Sequence, residues 1–144
     1  MENQPVVVER IFNAPASKVW TALTDRGKMA KWYFDLAEFK AETGFKFQFM
    51  GGSNSGKPYL HLCEITEVIP GKKLTHSWRY DGYPGISFVT FELVDQGDHT
   101  LLKLIHQGIE TFPKENPDLA KANFAEGWNQ IINVSLKEYL DLNG

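Results

Sequence analysis

Between residues 45 and 107 the chain alternates apolar and polar side chains with a period of two, the signature of strands that turn one face to a core and the other to water. Phe45, Phe47 and Phe49 fall on one side of the first such strand, and Lys46 and Gln48 fall on the other. The GGSNSGK segment that follows has the glycine and asparagine content of a hairpin turn. Tyr59 to Ile69, Leu74 to Tyr80, Ile86 to Val94 and Thr100 to Gln107 read as further strands, separated by the turn sequences PGKK, DGYPG and DQGD. Strands this close, joined by turns this short, predict an antiparallel meander. Upstream, the β-branched run Val6 to Phe12 predicts a first strand. Pro15 suits the first turn of a helix that carries Val19, Trp20 and Leu23 on one side. Asp25, Arg26 and Gly27 then interrupt the pattern before a second short helix over Lys28 to Phe34.

The last segment changes period. Asn116 is a helix-capping residue, Pro117 suits a first helical position and Asp118 suits the positive end of the dipole. Phe124, Trp128, Ile131, Ile132, Ser135, Leu136, Tyr139 and Leu140 recur at spacings of three and four, with Lys121, Glu126, Asn129, Lys137 and Glu138 off that stripe. A long amphipathic helix with this face is the one element able to cover the apolar side of the sheet.

Composition narrows the class. At 144 residues and 42% apolar content the chain reads as a single domain over 1-144 with a core of its own. One cysteine, Cys63, cannot form an internal disulfide. Fifteen Lys and Arg against eighteen Asp and Glu leave a net charge of −3, which offers no footprint for nucleic acid or an anionic membrane. No run approaches the roughly 18 apolar residues of a membrane span, so a cytoplasmic location is expected.

Three stretches together carry a resemblance: NAPASKVWTALTD from Asn13; THSWRY from Thr75, with TLLKLIHQGI from Thr100; and EGWNQIINVSLKEYL from Glu126. They resemble the START-like (SRPBCC) helix-grip superfamily, and within it the family named after the C-terminal domain of the activator of the heat-shock-protein-90 ATPase. The resemblance implies an α+β fold: a curved antiparallel sheet wrapped around a long C-terminal helix, with two short helices after the first strand and an elongated internal cavity. It also implies a binder of small apolar or aromatic molecules, without fixing the chemistry of the site.

By strand parity, Phe47 and Phe49, then His76 and Trp78, then Val89 and Phe91, then Leu104 and His106 share the inner face. Phe124, Trp128 and Ile131 face them from the helix, and Trp32 joins from the second short helix. These are the candidate ligand-binding residues; the same set would also serve a solid core. The segment around Trp32 and Tyr33, with the turns at Gly82 to Gly85 and Ile109 to Pro113, is the expected gate.

His76 and His106 each set a titratable group against an apolar wall, where a histidine either orients a ligand or is hydrogen-bonded within the core. His61 and Cys63 share a strand face, but no second cluster completes a metal site with them. The loop from Gly51 to Gly56 lacks the ending of a phosphate-binding loop, and no nucleophile elbow is present. No cofactor and no catalytic residue is assigned.

Two other functions stay open. One is a co-chaperone-like interaction domain in contact with a chaperone, although the chain leaves no room for the extra N-terminal domain of the eukaryotic co-chaperone. The other is a cavity enzyme of cyclase or hydrolase type that uses His106 or His76. A homodimer is compatible with either.

Overall fold

The computed structural model describes residues 5–32, 36, 38–51, 57–113 and 115–143. Strand β1 (Val6–Phe12) is followed by helices α1 (Ala16–Thr24) and α2 (Arg26–Trp32). Then come β2 (Lys46–Gly51), β3 (Tyr59–Ile69), β4 (Lys73–Tyr80), β5 (Ser87–Asp95) and β6 (Thr100–Gln107). Two single 3₁₀ turns, Ile109–Thr111 and Pro117–Leu119, lead to the C-terminal helix. That helix runs as α3 (Lys121–Gln130), a π-helical stretch Ile131–Leu136, and α4 (Lys137–Asn143).

The strands form one antiparallel six-stranded sheet in the order β1-β6-β5-β4-β3-β2, so the first strand closes against the last. The expected parity holds throughout: Phe47, Phe49, Leu74, His76, Trp78, Val89, Phe91, Leu102, Leu104 and His106 are all buried on one face. A register shift between Ile65 and Glu67 bends β3 against β4, as a bulge does. Near it the Ser77 hydroxyl accepts the Glu64 N–H at 3.0 Å.

Two helices differ from their expected bounds, each for a local reason. The residues expected to interrupt the first helix instead start the second: Asp25 closes α1 through its own N–H to Thr21, while its carboxylate caps Lys28 N–H at 3.0 Å. Helix α2 therefore begins at Arg26 rather than Lys28; residues 33 and 34 lie outside the described set. Asn116 does cap, accepting Asp118 N–H on its side chain and Leu119 N–H on its carbonyl, but it caps a single 3₁₀ turn. Ala120, extended at ψ 148°, separates that turn from α3, so the long helix starts at Lys121.

The π-helical stretch follows from spacing. The buried positions Phe124, Trp128, Ile132, Leu136 and Leu140 recur at strict intervals of four. Four residues of α-helix turn through about 400°, so such a row drifts about 40° per step. A π turn holds more residues per revolution and reverses the drift, returning Leu136 and Leu140 to the sheet.

Candidate functional site

Side-chain bonds fix where the short helices and the C-terminal helix stand over the concave face. Trp32 donates its indole N–H to the Ala22 carbonyl at 2.8 Å, locking α2 to α1. The Thr100 hydroxyl donates to the Ala14 carbonyl at 2.8 Å, tying the β1–α1 corner to β6. The Tyr59 hydroxyl donates to the Asp118 carboxylate at 2.8 Å, holding the turn before α3 to β3.

Under the C-terminal helix the expected residues meet as a packed aromatic cluster. Trp128 lies 5.5 Å from Trp78 and 6.1 Å from Phe91 between ring centres, and Phe124 stands edge-on to His106 at 4.9 Å. One hydrogen-bond chain crosses this cluster, and the proton positions along it follow from the partners. The Trp128 indole can only donate, so His106 Nδ1, 2.9 Å away, is a lone pair. The ring proton then sits on Nε2 and goes to Ser87 Oγ at 2.7 Å; the Ser87 hydroxyl in turn donates to the Trp78 carbonyl at 2.9 Å. Both nitrogens of His106 are spoken for. Burial, together with the neighbouring His76, holds its pKa down at about 3, so the ring is neutral.

His76 has a different fate. Its Nδ1 lies 2.8 Å from the Ser77 carbonyl, and its buried Nε2 finds no hydrogen-bond partner among the described residues. Burial lowers its pKa to about 4, against the weaker opposing effect of that carbonyl. The ring lines a small, partly open void of about 10 Å³, together with Leu23, Met29, Trp32, Phe39, Phe47, Leu74 and Phe91. This void lies beside α1 and α2 on the same concave face as the Trp128 cluster, and Phe91 borders both.

Four of the candidate ligand-binding residues, Trp32, Phe47, His76 and Phe91, thus line the void. Trp78, His106, Phe124 and Trp128 form the packed cluster. Phe49 stacks on His61 at 4.5 Å and meets Trp78 edge-on, while Val89 and Leu104 are fully buried in the wall. Ile131 is only half-buried; its neighbour Ile132 takes the core position. Of the expected gate, the Gly82 to Gly85 and Ile109 to Pro113 turns are tied together through Thr111 Oγ1, which accepts the Ile86 N–H at 2.9 Å. Tyr33 lies outside the described residues, as does most of the Gly51 to Gly56 loop.

Leu23, Met29, Phe39 and Leu74 of the void were not among the candidates, although strand parity turns Leu74 inward. Met29 sits in a helix too short to show a stripe, and Phe39 in a stretch without periodicity. His61 directs Nδ1 at the Tyr59 carbonyl, 3.0 Å away, and burial lowers its pKa to about 4. Cys63 is buried, which pushes its thiol pKa up and leaves it inert. Among the described residues no three His, Cys, Asp or Glu side chains gather as metal ligands would. No helix among them is long and apolar enough to cross a membrane. The opposite face of the sheet carries an open groove of about 430 Å³ whose rim mixes Lys46 and Arg79 with Glu64.

A bent antiparallel sheet gripping a C-terminal helix, with two short helices closing its end, defines a helix-grip domain of the START-like superfamily. Residues 13–141 match the family model described as activator of Hsp90 ATPase homolog 1-like protein, and the chain belongs to that family. It is similar to the mouse (Mus musculus) activator of 90 kDa heat shock protein ATPase homolog 2, with 27% identity over 108 residues. That match covers 74% of this chain and 30% of the mouse protein, so the chain spans about a third of that relative. A solved Mesorhizobium loti protein is 28% identical with a TM-score of 0.75, covering 98% of this chain and 99% of the other. DynU16, a protein in the dynemicin biosynthetic locus, shares the fold at 23% identity and a TM-score of 0.76, covering 96% of this chain and 47% of that one.

Proposed function

We propose that this domain binds a small apolar or aromatic molecule on the concave side of its sheet, without a defined catalytic step. The supporting observation is the void beside His76: apolar and aromatic walls around one buried polar atom, the usual make-up of a small-molecule site. Helix-grip members that bind hydrophobic ligands or act as polyketide cyclases make the reading consistent with the family. At about 10 Å³ the void has room for one water, whereas a benzene-sized guest needs about 150 Å³. Binding therefore requires α2 and the segment carrying Phe39 to swing outward. The driving force is removal of apolar ligand surface from water, about 25 cal/mol per Å² before ordering costs.

The test is a titration with 1-aminoanthracene, a neutral fluorescent aromatic, alongside native mass spectrometry of freshly purified protein. A saturable one-to-one enhancement, or a co-purifying small molecule, supports the reading. Linear, non-saturating fluorescence with no co-purifying mass overturns it. The same spectra read out dimers.

A second reading rests on the mouse relative, whose name records activation of a heat-shock-protein ATPase. In that reading the domain docks on a chaperone through its outer surface. Failure of purified chaperone to capture the domain in a pull-down, together with unchanged ATP turnover on adding it, removes this reading. A hydrolytic or cyclase role through His106 is disfavoured because both its nitrogens are engaged.

A further inference from the structure

We propose that the guest of this site presents a hydrogen-bond donor, a neutral hydroxyl carried on an aromatic or otherwise apolar body, to the lone pair of His76 Nε2. The inference rests on the small-molecule reading above and narrows it to a ligand class.

The proton inventory carries it. The Ser77 carbonyl can only accept, so the His76 ring proton must sit on Nδ1, 2.8 Å from that oxygen. Nε2, at the far end of the ring, is then a bare acceptor. It is buried with no partner among the described residues, on a side chain 2% exposed that borders the void. A buried acceptor left unmet is costly, and an unpaired polar atom in a native core calls for an explanation, of which a bound partner is one.

Water is a poor occupant. Buried waters are held by two to four polar groups, and this lining is hydrocarbon and aromatic apart from His76 and an indole already bonded to Ala22. A hydroxyl on an apolar body needs only the one polar contact. The walls suit a flat body: Phe47 stands edge-on to His76 at 5.2 Å, and Phe91 is tilted at 6.3 Å.

The other buried histidine shows what is missing. At His106 the lone pair is met by the Trp128 indole N–H at 2.9 Å, a donor supplied by the fold itself. Among the described residues, none plays that part at His76 Nε2. The chemistry also excludes competitors. A neutral imidazole with an outward lone pair repels carboxylates, ketones and ethers, which bring only acceptors. An ammonium group would donate but would carry an unpaired charge into an apolar pocket.

Displacement of 1-aminoanthracene by naphthalene, 1-methoxynaphthalene and 1-naphthol at neutral pH tests this; the first two bracket the hydroxyl compound in size. The expected result is that 1-naphthol displaces the probe at about tenfold lower concentration than either comparator. In His76→Phe the three should become equivalent. Equal potency in the wild type, or a hydroxyl preference that survives in His76→Phe, overturns the inference while saturable probe binding keeps the broader reading. Absence of saturable probe binding overturns both. Because His76→Phe can fail to fold, ¹⁵N-histidine NMR of the wild-type protein supplies an independent readout. The unprotonated His76 nitrogen should shift on adding 1-naphthol and stay in place with naphthalene, and a resonance unmoved by 1-naphthol overturns the inference.

Discussion

His76 and His106 flank Val89 on the inner face of the sheet and differ by one donor, and that difference separates a structural histidine from a candidate ligand contact. Removing the donor at His106 should be expensive: Trp128→Phe keeps an aromatic ring but strands Nδ1, at a cost of about 1–3 kcal/mol in urea unfolding. Wild-type stability in that variant would mean the ring alone matters. The buried histidines also set a pH profile. His61 and His76 hold pKa values of about 4 and His106 about 3, against about 6.5 when unfolded. As pH falls below 6.5 the unfolded chain takes up protons that the native state refuses. Stability is thus complete above pH 6.5, declines toward pH 4, and levels off once the native rings protonate too. Each ring contributes a slope of about 1.4 kcal/mol per pH unit inside that window. Urea midpoints at pH 7 and pH 5 check it, and equal midpoints would show that the rings are charged in the fold. Strand parity was enough to turn both histidines inward. Which of them would find a donor was not legible, because it depends on the azimuth of Trp128 across a helix–sheet contact.

At the level of elements, alternation, turn sequences and a β-branched run revealed the strands, while the irregular helical pieces escaped. Asp25 looked like a breaker because one residue serving as the end of α1 and the cap of α2 leaves no spacer to read. The π-helical stretch was present as intervals of four, a pattern an ordinary helix tolerates for a few steps. Deleting the exposed Val134 shortens one interval to three and brings the buried row back within α-helical phase. The shortened helix should keep cooperative, two-state unfolding, checked by circular dichroism and urea titration; loss of cooperativity would mean the wide turn has another origin. Where the β4–β5 turn meets the 3₁₀ turn, Gly85 has φ +103° and a Cβ there would lie 2.5 Å from the Thr111 carbonyl oxygen. Gly85→Ala should therefore lower stability by about 2–4 kcal/mol. Gly82→Ala, with φ +81° and open space around it, should cost about 1 kcal/mol. Similar losses in differential scanning calorimetry would mean that the two turns do not press on each other.

For the whole molecule, the architecture was readable because turn chemistry, strand parity and the amphipathic last helix all agree, and because quoted stretches matched a known family. The volume of the interior was not readable. A void is a small difference between the space enclosed by a frame and the bulk of the side chains within it, and residue types alone do not fix either. That is why Phe124 and Trp128 could be placed facing the sheet but not known to pack solidly there, with the space left instead beside Met29 and Phe39.

The pairing of β1 with β6 carries a cost in time. Phe12 lies opposite Thr100 and Val6 opposite His106, so the first strand must wait for β6, roughly a hundred residues later, before it finds its neighbour. A polypeptide leaving the ribosome has the β2 to β5 meander long before the rod that covers it. Until Leu140 emerges, a greasy palm bearing Phe47, Trp78 and Phe91 stays bare, and the newborn chain is most prone to sticking in that interval.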